Sequence, residues 1–279
     1  MFGEISPDVG EIDEAALQEQ MELDPDATLC TVARMTTATD ETLRALARQL
    51  AGQLFLDLAR EQPPRGRGIG RMTRQRYRPD ADIDVDGSID VLVDATATRS
   101  AVEVEDLRVQ AWSAPSTSWC LLVDRSGSMN GQPVAAAAMA AAAVVQRAEG
   151  ECAVLSFGRD VVACTAMWEH HEPADVIDRV LALNGHGTTD VAGALRAAQA
   201  QQMTASAQRR VTILLSDCRA TEPGDVVAAA RTLDELVIVA PEGDSVEAAA
   251  LAERVGARWT TAAGPATVVA ALHRVLDRS

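Results

Sequence analysis

Asp124, Ser126 and Ser128 stand at alternate positions in Cys120-Leu121-Leu122-Val123-Asp124-Arg125-Ser126-Gly127-Ser128-Met129, directly after an apolar run. A carboxylate and two hydroxyls so spaced fall on one side of a turn that leaves an extended strand and enters a helix. The carboxyl end of a parallel strand is where open α/β sheets place ligands. Two further oxygen-bearing positions follow. Thr189 lies in Gly185-His186-Gly187-Thr188-Thr189-Asp190-Val191, a glycine-punctuated loop opening a helix, and Asp217 ends Val211-Thr212-Ile213-Leu214-Leu215-Ser216-Asp217. Such hard oxygen donors suit Mg2+, which takes six oxygens at about 2.0–2.1 Å and keeps several waters. Mn2+ accepts the same set. The two carboxylates would carry such a site and leave a position open for a ligand from elsewhere. In the plainer alternative, Ser126 and Ser128 cap the following helix and Asp217 is a turn residue.

These positions need a sheet to hold them, and the chain supplies one. Strands are expected at 119–123, 153–157, 211–215, 236–240 and 258–260, with a short antiparallel edge at 161–164. Helices are expected at 134–149, 174–183, 191–202, 225–233, 246–255 and 266–277. Alternating strands and helices imply an α/β fold, doubly wound, with a mostly parallel sheet covered by helices on both faces. Pro133 suits a helix first turn, and the small side chains of Ala135–Ala143 permit close approach to the sheet.

With those elements placed, the chain resembles the von Willebrand factor A (VWA) family, whose fold is Rossmann-like. Asp124, Ser126, Ser128, Thr189 and Asp217 resemble its metal-ion-dependent adhesion site (MIDAS), the three segments standing in the family's order. Thr188 is the alternative fourth ligand; the family pattern puts the threonine just before Asp or Asn, which favours Thr189. The resemblance implies a bound divalent cation completed by an Asp or Glu of a protein partner. The stretch before the A domain is similar to bacterial proteins of the CoxE and magnesium chelatase D-subunit type, which work beside MoxR-type or chelatase-type AAA+ ATPases. That likeness implies an adaptor or co-chaperone in complex assembly. It leaves open a non-ATPase subunit of a metal-chelatase or cofactor-inserting enzyme.

Other chemistries find little support. Asp124-Arg125-Ser126-Gly127-Ser128 lacks the Gly-x-Ser-x-Gly of a nucleophile elbow. The sequence has no lysine and so no Gly-x-x-x-x-Gly-Lys-Ser/Thr phosphate loop, which puts any ATPase on a separate polypeptide. The reading is therefore not an enzyme. The net charge of −16 disfavours nucleic acid as a partner. The all-arginine basic set and the abundant alanine look like the bias of a GC-rich bacterial genome. No apolar run is long enough to span a bilayer, and the acidic start is unlike a secretory signal, so a cytoplasmic location is expected. Five scattered cysteines argue against a disulfide framework. Cys120 and Cys152 fall in core strands, and Cys218 is expected to be partly exposed. His170 and His171 read as a surface loop and His186 as filling the loop before Thr189, while His273 lies on the last helix.

The first 115 residues divide by charge. Residues 1–30 hold nine acidic side chains and no arginine, and read as mobile or weakly helical. Asp40 is placed to cap a helix over 41–60 with Leu43, Leu46, Ala47, Leu50, Leu54 and Leu58 on its apolar face. Seven arginines from Arg60 to Arg78, among glycines and prolines, read as a linker resisting regular structure. Asp82-Ile83-Asp84-Val85-Asp86-Gly87-Ser88-Ile89-Asp90 mimics a calcium loop, but its twelfth position is Val93 rather than glutamate. The alternation there is read as a strand or hairpin turning at Asp86-Gly87. The expected division is an acidic helical region (1–61), an arginine-rich linker with short strands (62–115) and the A domain (116–279).

Overall fold

The structure is a computed structural model that describes residues 5–6, 12–38, 41–61, 71–76, 82–98, 101–102, 107–113, 116–125, 132–148, 150–170, 172–183, 185 and 187–276. By contacts the chain forms two compact units, one of Met1–Arg65 with Thr117–Ser279 and one of Gly66–Ser116.

The larger unit is built on a six-stranded sheet. Its strands are β4 (Thr117–Asp124), β5 (Cys152–Phe157), β6 (Val161–Thr165), β7 (Arg209–Leu215), β8 (Glu235–Pro241) and β9 (Arg258–Ala262), in the order β6-β5-β4-β7-β8-β9. All neighbours are parallel except β6, which runs antiparallel to β5 at one edge, as expected from the sequence. The central strand β4 is buried on both faces. Trp119, Leu121 and Val123 enter one apolar cluster, while Cys120 and Leu122 enter the other. Residues pointing alternately to two dry faces make such a strand read as a continuous apolar run.

On the first face lie α5 (Gln132–Arg147), α6 (Pro173–Leu181) and α10 (Pro265–Leu276); on the second lie α7 (Val191–Met203), α8 (Val226–Ala230) and α9 (Val246–Val255). Asp190 and Asp225 start α7 and α8 by accepting backbone N–H bonds from Gly193 and Ala228. Gly256, at φ 71°, ends α9 in the left-handed conformation that a glycine adopts without steric cost. The helix expected over 225–233 stops sooner, and beyond it the Thr232 hydroxyl donates to the Ala229 carbonyl.

The acidic N-terminus is more ordered than its composition implies. Helices α1 (Glu14–Leu23) and α2 (Pro25–Met35) correct the expectation of a mobile or weakly helical segment. The aspartates sit where they help: Asp13 accepts from Ala15 and Ala16 N–H, and Asp24 accepts from Ala27 N–H. Behind these caps Leu29, Val32 and Met35 are buried in the first cluster. Helix α3 (Glu41–Glu61) matches the expected span, but its buried row differs. Leu43, Ala47, Ala51, Phe55 and Ala59 face inward, while Leu46 is 40 % exposed. Alanines at that spacing let α3 approach α5 and α6 more closely than the bulkier leucine stripe allows. Asp40 lies outside the described residues.

The smaller unit holds β1 (Arg71–Arg76), β2 (Asp82–Ile83), α4 (Val85–Thr98) and β3 (Arg108–Ser113), its antiparallel sheet ordered β1-β3-β2. Two expectations are corrected. Part of the arginine-rich stretch is strand, and the hairpin read through Asp86-Gly87 is helix. Asp84 is buried and its Oδ1 accepts from Gly87 N–H at 3.0 Å, so it starts α4 as an N-terminal cap. Strand β3 begins at Arg108, and residues 103–106 lie outside the described set. Among the described residues no helix is long and apolar enough to cross a membrane.

Candidate functional site

Three of the five singled-out residues are described. Ser126 and Ser128 lie outside the described residues, as does His186. Asp124 is the last residue of β4 and Asp217 stands two residues beyond β7. The strands pair in parallel with Val123 opposite Leu215, so the register brings the two ends together.

A side chain the sequence reading passed over joins them. Ser216, 4 % exposed, donates its hydroxyl to Asp124 Oδ2 at 2.6 Å and accepts the Cys218 N–H at 2.9 Å. Cys218 itself has φ 64°, the left-handed region non-glycine residues seldom adopt. In the same turn Asp217, half-buried, accepts from Arg219 N–H through Oδ1 at 2.9 Å. The only sequence signal for Ser216 is a polar residue inside an otherwise apolar strand end beside a carboxylate.

Cys218 is buried rather than partly exposed, which corrects the sequence expectation. Burial first, then the charges of Asp217 and Asp124, pushes its thiol up to about 12. Both carboxylates therefore act on one small region, and the thiol is kept in its unreactive form. Burial likewise raises Cys120, and pushes Cys152 to about 12 and Cys164 to about 11.

Thr189 reaches this end of the sheet through its backbone. Asp190 N–H donates to Gly158 O at 2.8 Å, just beyond the β5 residue Phe157 that pairs with Asp124. Thr189 N–H donates to Thr221 Oγ1 at 2.7 Å, while its carbonyl accepts from Thr221 and Glu222 N–H. Its side chain is buried. The neighbouring Thr188 hydroxyl donates to Glu222 Oε1 at 2.5 Å. The loops after β5, α6 and β7 are thus stitched into one platform. Among the described residues no group of three His, Cys, Asp or Glu side chains could hold a metal ion. At this end of the sheet opens a cavity of about 240 Å³ edged by Asp124, Ser216 and Asp217.

A family model for VWA domain containing CoxE-like proteins matches residues 57–274. No curated protein matches the sequence. Among solved structures, a von Willebrand factor type A protein from Catenulispora acidiphila aligns at 17 % identity and a TM-score of 0.49, over 61 % of this chain and 44 % of that one. Manganese-loaded TRAP protein from Plasmodium vivax aligns at 16 % identity and 0.42, over 53 % and 68 % of the two chains. Proximal thread matrix protein 1 of the mussel byssus, with a zinc-occupied MIDAS motif, aligns at 13 % identity and 0.47, over 58 % and 48 %. The chain spans less than half the length of the first and third of these.

Proposed function

The chain belongs to the family of VWA domain containing CoxE-like proteins, and from that premise we propose that it is a metal-dependent protein-interaction module. Its work is that of a non-catalytic adaptor for a MoxR-type AAA+ ATPase in the assembly or maturation of protein complexes in the cytoplasm. The observation that carries the reading is the hydrogen bond from Ser216, the residue before Asp217, to Asp124, which ties the ends of β4 and β7 together.

The donor set fits a hard divalent cation. Asp124 and Asp217 stand at the ends of paired strands, both add to burial in raising the pKa of Cys218, and that buried sulfur is held as a neutral thiol. Asp124, Thr189 and Asp217 would hold Mg2+ or Mn2+, with Ser126 and Ser128 contributed by the loop that follows β4. Thr189 is favoured over Thr188, whose hydroxyl is engaged by Glu222. A cation bound there supplies a charged position for a carboxylate oxygen of a partner. The chain's own groups do the positioning. Ser216 orients Asp124, Arg219 N–H orients Asp217, and Thr221 fixes the backbone at Thr189.

A pull-down from native cytosol with the wild type and Asp124→Ala, each in Mg2+ or EDTA, tests the proposal. An AAA+ ATPase recovered only by wild type with metal supports it. Equal recovery in all four samples refutes the metal bridge and moves that interface elsewhere on the chain. A carboxylated enzyme target or a tetrapyrrole recovered in place of the ATPase refutes the MoxR partnership and favours the chelatase-like role.

A further inference from the structure

The cavity at the carboxyl ends of β4, β7, β8 and β9 adjoins the carboxylates assigned to the cation but is otherwise apolar. Only its edge is polar, formed by Asp124, Ser216 and Asp217 with Gln132 at the rim. Its walls are apolar and made of small residues, among them Ala136 on α5, Ala240 on β8, Ala262 on β9 and Val268 on α10. At about 240 Å³ it lies below the roughly 300 Å³ where pockets for drug-sized ligands begin. It is a space for a side chain.

We propose that this cavity seats an aliphatic side chain next to the acidic residue that a protein partner brings to the metal, so that the module recognises an acid with a leucine-sized neighbour. The inference rests on the metal-bridge reading, because the cavity shares Asp124 and Asp217 with that site. Three observations support it. The cavity's edge is formed by the two carboxylates that would hold the cation, so the two sites adjoin. The wall is fixed in advance: Gly264 and Pro265 line it, and the next residue, Ala266, donates its N–H to Asp26 Oδ1 at 2.8 Å. Preorganised walls lower the entropic cost of binding. Finally, the walls are apolar, so a neighbouring side chain gains free energy by burial there only if it is apolar.

The probes are three N-acetylated, C-amidated tripeptides, Ala-Glu-Ala, Leu-Glu-Ala and Ala-Glu-Leu, titrated against the full chain by NMR in Mg2+ and in EDTA. Each methylene buried is worth roughly fourfold in affinity, so the three extra carbons of leucine, partly buried, should give about tenfold over alanine. At least one leucine peptide is expected to show that preference in Mg2+. The ratio should fall below about twofold when the cavity is filled by Ala262→Phe or by Ala136→Leu. Melting curves verify that each variant is folded, and two fillers from different elements guard against one failing. Mg2+-dependent binding with no leucine preference in wild type overturns the cavity proposal and leaves the metal bridge standing. A leucine preference that persists in EDTA, and is lost on filling, keeps the cavity and overturns the metal bridge. No binding of any peptide overturns both.

Discussion

Ser216→Ala separates a structural serine from one that holds a metal-binding carboxylate in place. The side chain is 4 % exposed, and one oxygen serves both strand ends, donating to Asp124 at 2.6 Å and accepting from Cys218 N–H at 2.9 Å. A hydrogen bond to a charged group contributes about 1.5–3 kcal/mol, and leaving a buried N–H unsatisfied costs about 1–3 kcal/mol. Asp124 is half-buried, so water recovers part of its loss, and the net destabilisation should be about 2–3 kcal/mol. For a domain of this size about 2–4 °C of melting temperature accompanies each kcal/mol, which places the fall at about 4–12 °C. The second effect is on the cation, since removing a partner that orients a ligating carboxylate weakens metal affinity by about 10–100-fold. Isothermal titration with Mn2+ at a temperature where both proteins are folded reads that loss directly. If the variant melts lower yet binds Mn2+ within about twofold of wild type, Ser216 serves only the turn and the reasoning about Asp124 fails.

Asp26→Ala removes the cap that α2 gives to α10 and should lower stability by about 1 kcal/mol, or about 2–4 °C in a melt. Gly264→Ala should cost about as much, because its Cβ would meet the Asp26 carboxylate, whose Oδ1 lies 2.7 Å from it, and push that flexible side chain off the Ala266 N–H. Combining the two should relieve much of the second loss, a coupling that a double-mutant cycle measures and that simple additivity would refute. Glu151 sets a pH dependence: burial pushes its carboxyl up, but N–H and O–H bonds from Ser206 and the N–H of Ala207 outweigh that and hold it below 4.5. A folded-state value below the unfolded one gives stability that is fully present above about pH 4.5 and is lost as pH falls through the folded value. Urea midpoints of Glu151→Gln should therefore fall less steeply with acid than those of wild type, and identical acid limbs would contradict the assignment.

The sheet was legible because its strands are dry on both faces, so that Leu121, Leu122 and Val123, or Ile213, Leu214 and Leu215, form runs with sharp polar ends. Asp124 and Asp217 stand at those ends, and parallel register does the rest. The misreadings have a common cause in aspartates that serve the backbone. Asp13 and Asp24 were read as parts of a mobile or weakly helical acidic segment and Asp84 as part of a strand or hairpin, whereas each accepts N–H bonds at the start of a helix. On α3 periodicity found most of the apolar face, with Leu43 and Ala47 buried and Leu50, Leu54 and Leu58 packed against the core, but it included the exposed Leu46 and missed Ala51, Phe55 and Ala59. Ser216 was invisible for a different reason: its role depends on the neighbouring strand's carboxylate, 92 residues away in sequence.

The alanine run of α5 carried more information than close approach to a sheet. Every residue from 137 to 145 is buried, which is more than two full turns. A helix buried all round must be covered on the side away from the sheet as well. Helices α2 and α3 supply that cover, with Phe55 and Ala51 in the shared cluster and Gln146 donating to the Leu56 carbonyl at 2.6 Å. The N-terminal helices are therefore part of the sheet unit's fold, and deleting residues 1–61 would bare an apolar helix face that has no polar positions to tolerate water. The shortened chain should bind a hydrophobic dye, aggregate on concentration and melt more than about 10 °C below the full chain, corresponding to a loss of several kcal/mol. A monomeric fragment that melts cooperatively within about 5 °C of the full chain would mean that α5 buries its outer face some other way, and that the cover is an accessory.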